Sequence, residues 1–136
     1  MSPEWEAFRA RVLRLRALVL DVDGVLTAGG IRVGAEGAEP HKRFHVQDGL
    51  GLERARAAGL ALGWLSGREG PAVSHRARSL GVAVVLQDVR EKGEGFARAC
   101  AALGVRPEEA AYMGDDGTDL PALRAAALSL APADAA

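Results

Sequence analysis

Residues 18–27 read LVLDVDGVLT, an aliphatic run set directly against two carboxylates one residue apart and a glycine. Leu18, Val19 and Leu20 suit a buried strand, but Asp21 and Asp23 cannot stay charged in a core without a partner or a metal ion. The strand must therefore end at a polar site.

Four more short apolar runs follow, at 60–65, 82–86, 110–113 and 127–130, and with 18–22 they make five candidate strands. Between them, stretches of helical period occupy 49–58, 71–80, 92–103 and 119–126. Gly59, Gly81 and Gly104 stand where a left-handed C-terminal cap suits glycine, and Pro71 lies in a first turn. Strand and helix alternating on this scale predict an α/β fold, a three-layer Rossmann-like parallel sheet with helices on both faces.

Two segments depart from the alternation. Trp5, Phe8, Val12 and Leu15 recur at three- and four-residue steps, which predicts an amphipathic helix packed on the domain. Residues 28–47 carry glycine-rich turns around IRV and RFHV, which predicts a β-hairpin insertion after the first strand. The APADAA end predicts a frayed terminus.

At 136 residues the chain fits a single domain, 1–136, and no repeat or linker divides it. Seventeen Lys and Arg residues balance 18 Asp and Glu residues, so the composition exerts no general pull toward nucleic acid or an anionic membrane. The charged N-terminal stretch lacks an apolar run long enough for a signal peptide or membrane span, and the expectation is a cytoplasmic protein. Cys100 is the only cysteine, which rules out an internal disulfide, and its helical spacing from Phe96 and Leu103 assigns it to the core. His41 and His45 have no further ligand at zinc-like spacing and read as hairpin or interface residues, and His75 as exposed.

Ligands of an open parallel sheet bind beyond the carboxyl ends of its strands. The residues found there are Asp21, Asp23 and Gly24 after the first strand, then Ser66, Gly67 and Arg68 after the second. Lys92 follows the third, and Gly114, Asp115, Asp116 and Asp119 follow the fourth. Converging carboxylates repel unless a hard cation such as Mg²⁺ neutralises them, and a lysine, a hydroxyl and glycine-flanked amides beside that cation are what a phosphate group needs. Taken singly, each motif also fits a plain turn or a helix cap, with Thr118 as one such cap. The set, in order and at one end of successive strands, points to phosphoryl chemistry.

DVDGVLT, LSGR, Lys92 and GDDGTDLP resemble the four motifs of the haloacid dehalogenase superfamily of aspartate-nucleophile phosphatases. The insertion, FHVQDGLGL and the short spacing from Asp21 to Ser66 resemble, within it, the 3-deoxy-D-manno-octulosonate 8-phosphate phosphatases and their nine-carbon keto-acid sugar relatives, which lack a cap domain. The resemblance implies a Mg²⁺-dependent phosphomonoesterase in which Asp21 attacks phosphorus and Asp23 serves as general acid, then base. It implies Mg²⁺ held by Asp21, the Asp23 carbonyl and Asp115, and phosphate held by Ser66, Gly67 and Lys92. Asp116 and Asp119 would orient metal waters or Lys92, and Arg68 would meet the substrate carboxylate. A homotetramer with the insertion at its contacts is also implied, as are a further helix and an arginine-containing tail after the fifth strand, where this sequence stops at Ala136. The alternatives are a non-catalytic or regulatory domain of the same fold and a receiver-like phosphoacceptor. The latter would need its phosphorylated carboxylate after the third strand, where the chain offers Asp88. A dinucleotide-binding reading of Gly49 and Gly51 fails for want of a third glycine.

Overall fold

A computed structural model describes residues 1–31, 33–37 and 41–136. Five strands, β1 (Ala17–Asp21), β2 (Ala61–Leu65), β3 (Val84–Leu86), β4 (Ala110–Met113) and β5 (Leu128–Leu130), form one sheet in the order β3-β2-β1-β4-β5. All neighbours are parallel, as the alternation predicts. The chain moves outward from β1 through β2 to β3, then crosses back to β4 on the other side of β1. That reversal opens a crevice at the carboxyl ends of β1 and β4. Asp21 pairs in register with Leu65, and Leu20 with Met113, so the residues following β1, β2 and β4 emerge level along one edge.

Successive side chains of a strand face opposite sides, and β1 divides its residues accordingly. Ala17 and Val19 join Leu65, Tyr112, Phe96, Ala99 and Cys100 under α4 (Lys92–Leu103) and α5 (Leu120–Ala125). Leu20 joins Leu62, Trp64, Leu52, Val73, Ala77 and Leu80 under α2 (Val46–Ala57) and α3 (Pro71–Leu80). Cys100 is fully buried, and burial, with a smaller contribution from Glu108, pushes its thiol up to about 11, consistent with a core role. Gly81 and Gly104 end α3 and α4 in the left-handed region at φ 73°, which a Cβ would strain.

Three expectations meet different outcomes. The N-terminal helix forms as α1 (Pro3–Leu13), but it buries no residue, and Trp5 is 51 % exposed. The helices α2 to α5 already cover both sheet faces, and Trp5 and Phe8 stack on each other instead, 5.6 Å between centroids. Second, α2 begins at Val46, three residues before the predicted start, because the His45 ring accepts a hydrogen bond from the Gln47 N–H and caps it. Third, the described residues of 28–47 contain no strand. Gly34–Gly37 makes a turn, and residues 41–45 lead without regular structure into α2. Arg32, in the first predicted arm, and 38–40, between the two arms, lie outside the described residues, but the second arm, 43–46, lies within them and runs into α2 because the His45 cap starts a helix there. Among the described residues no helix is long and apolar enough to cross a membrane.

Candidate active site

The crevice at the strand ends is a cleft of about 290 Å³ lined by Asp21, Asp23, Gly67, Arg68, Lys92, Asp115 and Asp116, among others. Asp21 is the last residue of β1 and is almost buried. Its Oδ1 accepts from the Val22 N–H at 2.8 Å and from Lys92 Nζ at 2.9 Å. Lys92, the first residue of α4, also donates to the Leu65 carbonyl at 3.2 Å and lies 3.3 Å from Asp119 Oδ1. Such a buried ammonium needs this company, because an unpaired charge here would be costly.

Asp119 is fully buried and shares its oxygens among four groups. Oδ1 accepts from the Tyr112 hydroxyl at 2.6 Å and faces Lys92, while Oδ2 accepts from the N–H groups of Asp115 at 3.1 Å and Asp116 at 3.3 Å. Asp119 therefore folds the 114–119 loop back on itself and lies against Lys92. Burial and the bond to Asp119 hold the Tyr112 phenol well above its usual range.

Carboxylate oxygens of Asp21, Asp115 and Asp119 all lie within 4.8 Å of one another. Burial pushes the Asp21 carboxyl up to about 7 against the lowering pull of Lys92, and the neighbouring Asp119 and Asp115 add to the rise. The clustered carboxylates Asp21, Asp115 and Asp119 have one buried ammonium among them, Lys92, so negative charge is in surplus there. The hard-oxygen donor set and that surplus fit a divalent cation such as Mg²⁺. Asp119 has its oxygens engaged, so Asp21 and Asp115 are the side chains free to hold it. Gly24 sits at φ 84° against Asp115, and a Cβ there would collide with Asp115 Oδ2, so the loop after β1 packs directly on the acidic group.

The other predicted residues distribute unevenly. Gly67 and Arg68 line the cleft, while Ser66 is buried just beneath it, its Oγ accepting from the Arg68 N–H at 3.2 Å. Asp116 borders the cleft, but its Oδ1 accepts from the Gly117 N–H and caps the short 3₁₀ turn Gly117–Asp119, a capping role the sequence suggested for Thr118. The Gly24 N–H donates to Thr27 Oγ1 at 3.3 Å. Asp88 takes φ 53° in a turn after β3 and does not line the cleft, which removes the receiver-like arrangement.

One site residue went unread in the sequence. Lys42, from the insertion, donates to Asp23 Oδ1 at 2.6 Å. A single lysine in HKRFHV carries no signal of its own, and only the folded chain brings it beside Asp23.

The chain matches the model of the haloacid dehalogenase-like hydrolases over residues 50–127. It is 40 % identical over 121 residues to the 3-deoxy-D-manno-octulosonate 8-phosphate phosphatase KdsC of Haemophilus influenzae, covering 89 % of this chain and 67 % of that protein. The chain spans about two thirds of the length of the curated relatives it matches. The cobalt-bound structure of the H. influenzae phosphatase superposes with a TM-score of 0.88 at 38 % identity, over 93 % of this chain and 73 % of that one. The Moraxella catarrhalis phosphatase, solved with a magnesium ion, a phosphate ion and a KDO molecule, gives 0.89 at 32 % identity, over 96 % and 75 %.

Proposed function

This chain belongs to the haloacid dehalogenase-like hydrolases and is a phosphatase, and we propose that it is Mg²⁺-dependent, works through an aspartyl-phosphate on Asp21, and acts on 3-deoxy-D-manno-octulosonate 8-phosphate or a similar keto-acid sugar phosphate. The observation that carries the chemistry is the placement of Asp21 at the switch point, with Lys92 on one oxygen and Asp115 beside it. The likeness to phosphatases of that sugar supports the substrate.

Asp21, Asp115 and the Asp23 carbonyl would hold Mg²⁺, which would supply the positive charge that lets a phosphate dianion approach a carboxylate. Asp21 attacks phosphorus as the bond to the sugar oxygen breaks, and Asp23 gives that oxygen its proton. Asp23 then takes a proton from water as the water attacks phosphorus, and Asp21 leaves as a carboxylate. Lys92 keeps positive charge beside the phosphoryl oxygens throughout. Ser66, whose oxygen already accepts from Arg68 N–H, keeps its hydroxyl hydrogen to donate to them, and the Gly67 N–H adds a second donor. Arg68 at the cleft wall meets the substrate carboxylate.

The insertion after β1 presents Ile31 and Val33 to solvent, 52 % and 67 % exposed, which supports subunit contacts there in a homotetramer. Sedimentation of a monomer at micromolar protein would remove that assembly. The substrate is tested by phosphate release from 3-deoxy-D-manno-octulosonate 8-phosphate beside a panel of other sugar phosphates. A kcat/KM for the octulosonate ester at least about ten-fold above the rest is expected, that is, over 1.4 kcal/mol of discrimination. Equal rates across the panel would discard the substrate and keep the phosphatase.

A further inference from the structure

We propose that Lys42 is a positioning residue for Asp23, held in place by Phe44, so that the insertion after β1 completes the active site of its own chain. The inference rests on Asp23 being the general acid of a phosphatase, as above.

The contact differs from an ordinary surface ion pair. The Lys42 side chain is only 8 % exposed and that of Asp23 24 %, with 2.6 Å between Nζ and Oδ1. Exposed pairs contribute little, but a lysine this enclosed is costly unless its charge is answered. Two residues on, Phe44 explains how the lysine is held there. Its ring stacks on Trp64 of β2 at 5.9 Å, and the Arg76 guanidinium of α3 lies 5.9 Å from its face. Trp64 is wholly buried, so Phe44 fastens the segment to the core cluster under α2 and α3 while Lys42 reaches the crevice.

The consequence falls on one carboxylate. Lys42 engages Asp23 Oδ1, and among the described residues Asp23 has no other hydrogen bond or ion pair. Oδ2 is then the oxygen turned to the ester, and the carboxylate cannot rotate without giving up its lysine. Proton delivery to a leaving oxygen depends on such placement to within a fraction of an ångström. A poorly held Asp23 penalises esters whose leaving oxygen needs a proton more than esters whose leaving group departs as a stable anion.

Lys42→Met, Lys42→Arg, Asp23→Asn and the Lys42→Met/Asp23→Asn double variant, compared with the parent on 3-deoxy-D-manno-octulosonate 8-phosphate and on 4-nitrophenyl phosphate, test this. Lys42→Met should lower kcat on the sugar ester about ten-fold, a part of the whole general-acid contribution, with KM within about two-fold and a much smaller loss on the aryl ester. Lys42→Arg should recover most of the rate, and Lys42→Met should cost nothing further once Asp23 is Asn. Equal losses on both esters, a loss confined to KM, or full additivity with Asp23→Asn would overturn the proposal. A parent inactive on both esters would refute the phosphatase function instead. The pairing is then judged by melting temperatures, whose shifts should fall short of additive in the double variant and would be additive if Lys42 does not hold Asp23.

Discussion

Replacing Asp21 by Asn should abolish turnover and, with metal removed, make the protein more stable. The Asp21 carboxyl titrates near 3.8 when unperturbed and is pushed up to about 7 in the fold, chiefly by burial. At ~1.4 kcal/mol for each pK unit, keeping it ionised above neutral pH costs the metal-free native state up to about 4 kcal/mol. Asn retains an oxygen for the Val22 N–H and Lys92, while Lys92 loses one counter-charge and keeps Asp119. The pull of Lys92 is already contained in the value of about 7, and fitting an amide NH₂ in place of the second carboxylate oxygen offsets about 1–2 kcal/mol, leaving a net gain of about 2–3 kcal/mol. The sign follows from the raised pKa. Between the unfolded and folded values the native state holds the extra proton, so parental stability falls as pH rises from about 4 to about 7, and the variant escapes that fall. Thermal unfolding in EDTA, followed by circular dichroism, should show little difference near pH 4 and a melting temperature about 6–12 °C higher for Asp21→Asn near pH 8. Mg²⁺ should raise the parent and leave the variant nearly unmoved. A variant that melts below the parent near pH 8, or by a margin independent of pH, would refute the electrostatic reasoning.

Other perturbations probe neighbouring parts of the site. Asp115→Asn should raise the Mg²⁺ concentration needed for half-maximal activity by about ten-fold or more, read from an activity titration with the metal. Gly24→Ala combines a left-handed backbone with a collision against Asp115, so it should cut kcat by at least about 10²-fold and weaken Mg²⁺ binding in calorimetry. Tyr112→Phe leaves Asp119 Oδ1 with Lys92 alone and should cost about 1–2 kcal/mol in urea unfolding, with a smaller effect on kcat than Asp115→Asn.

The sheet was legible because its strands are short aliphatic runs bounded by glycine caps, and a polar motif closes each of the first four. Helix starts were harder to read where the cap was unusual. His45 is not among the residues that ordinarily cap, so α2 was expected to begin later than it does. The face of α1 has the right periodicity, but periodicity does not say whether a surface is available to receive it, and α2 to α5 already occupy the sheet. In the site, spacing along the chain identified the carboxylates and Lys92, because each stands directly after a strand or at a helix start. Contacts across the chain were invisible. The Tyr112 bond to Asp119 and the Lys42 contact with Asp23 depend on how a core residue and an insertion meet the strand ends, which no local pattern encodes.

The most direct test of Asp21 as nucleophile is chemical trapping. Borohydride added during turnover with Mg²⁺ reduces an acyl phosphate to an alcohol, which converts a phosphorylated aspartate to homoserine, and peptide mass spectrometry locates it. Homoserine at position 21, dependent on both substrate and metal, is the predicted result. Phosphate release with Asp21 unmodified and homoserine at another carboxylate would contradict it.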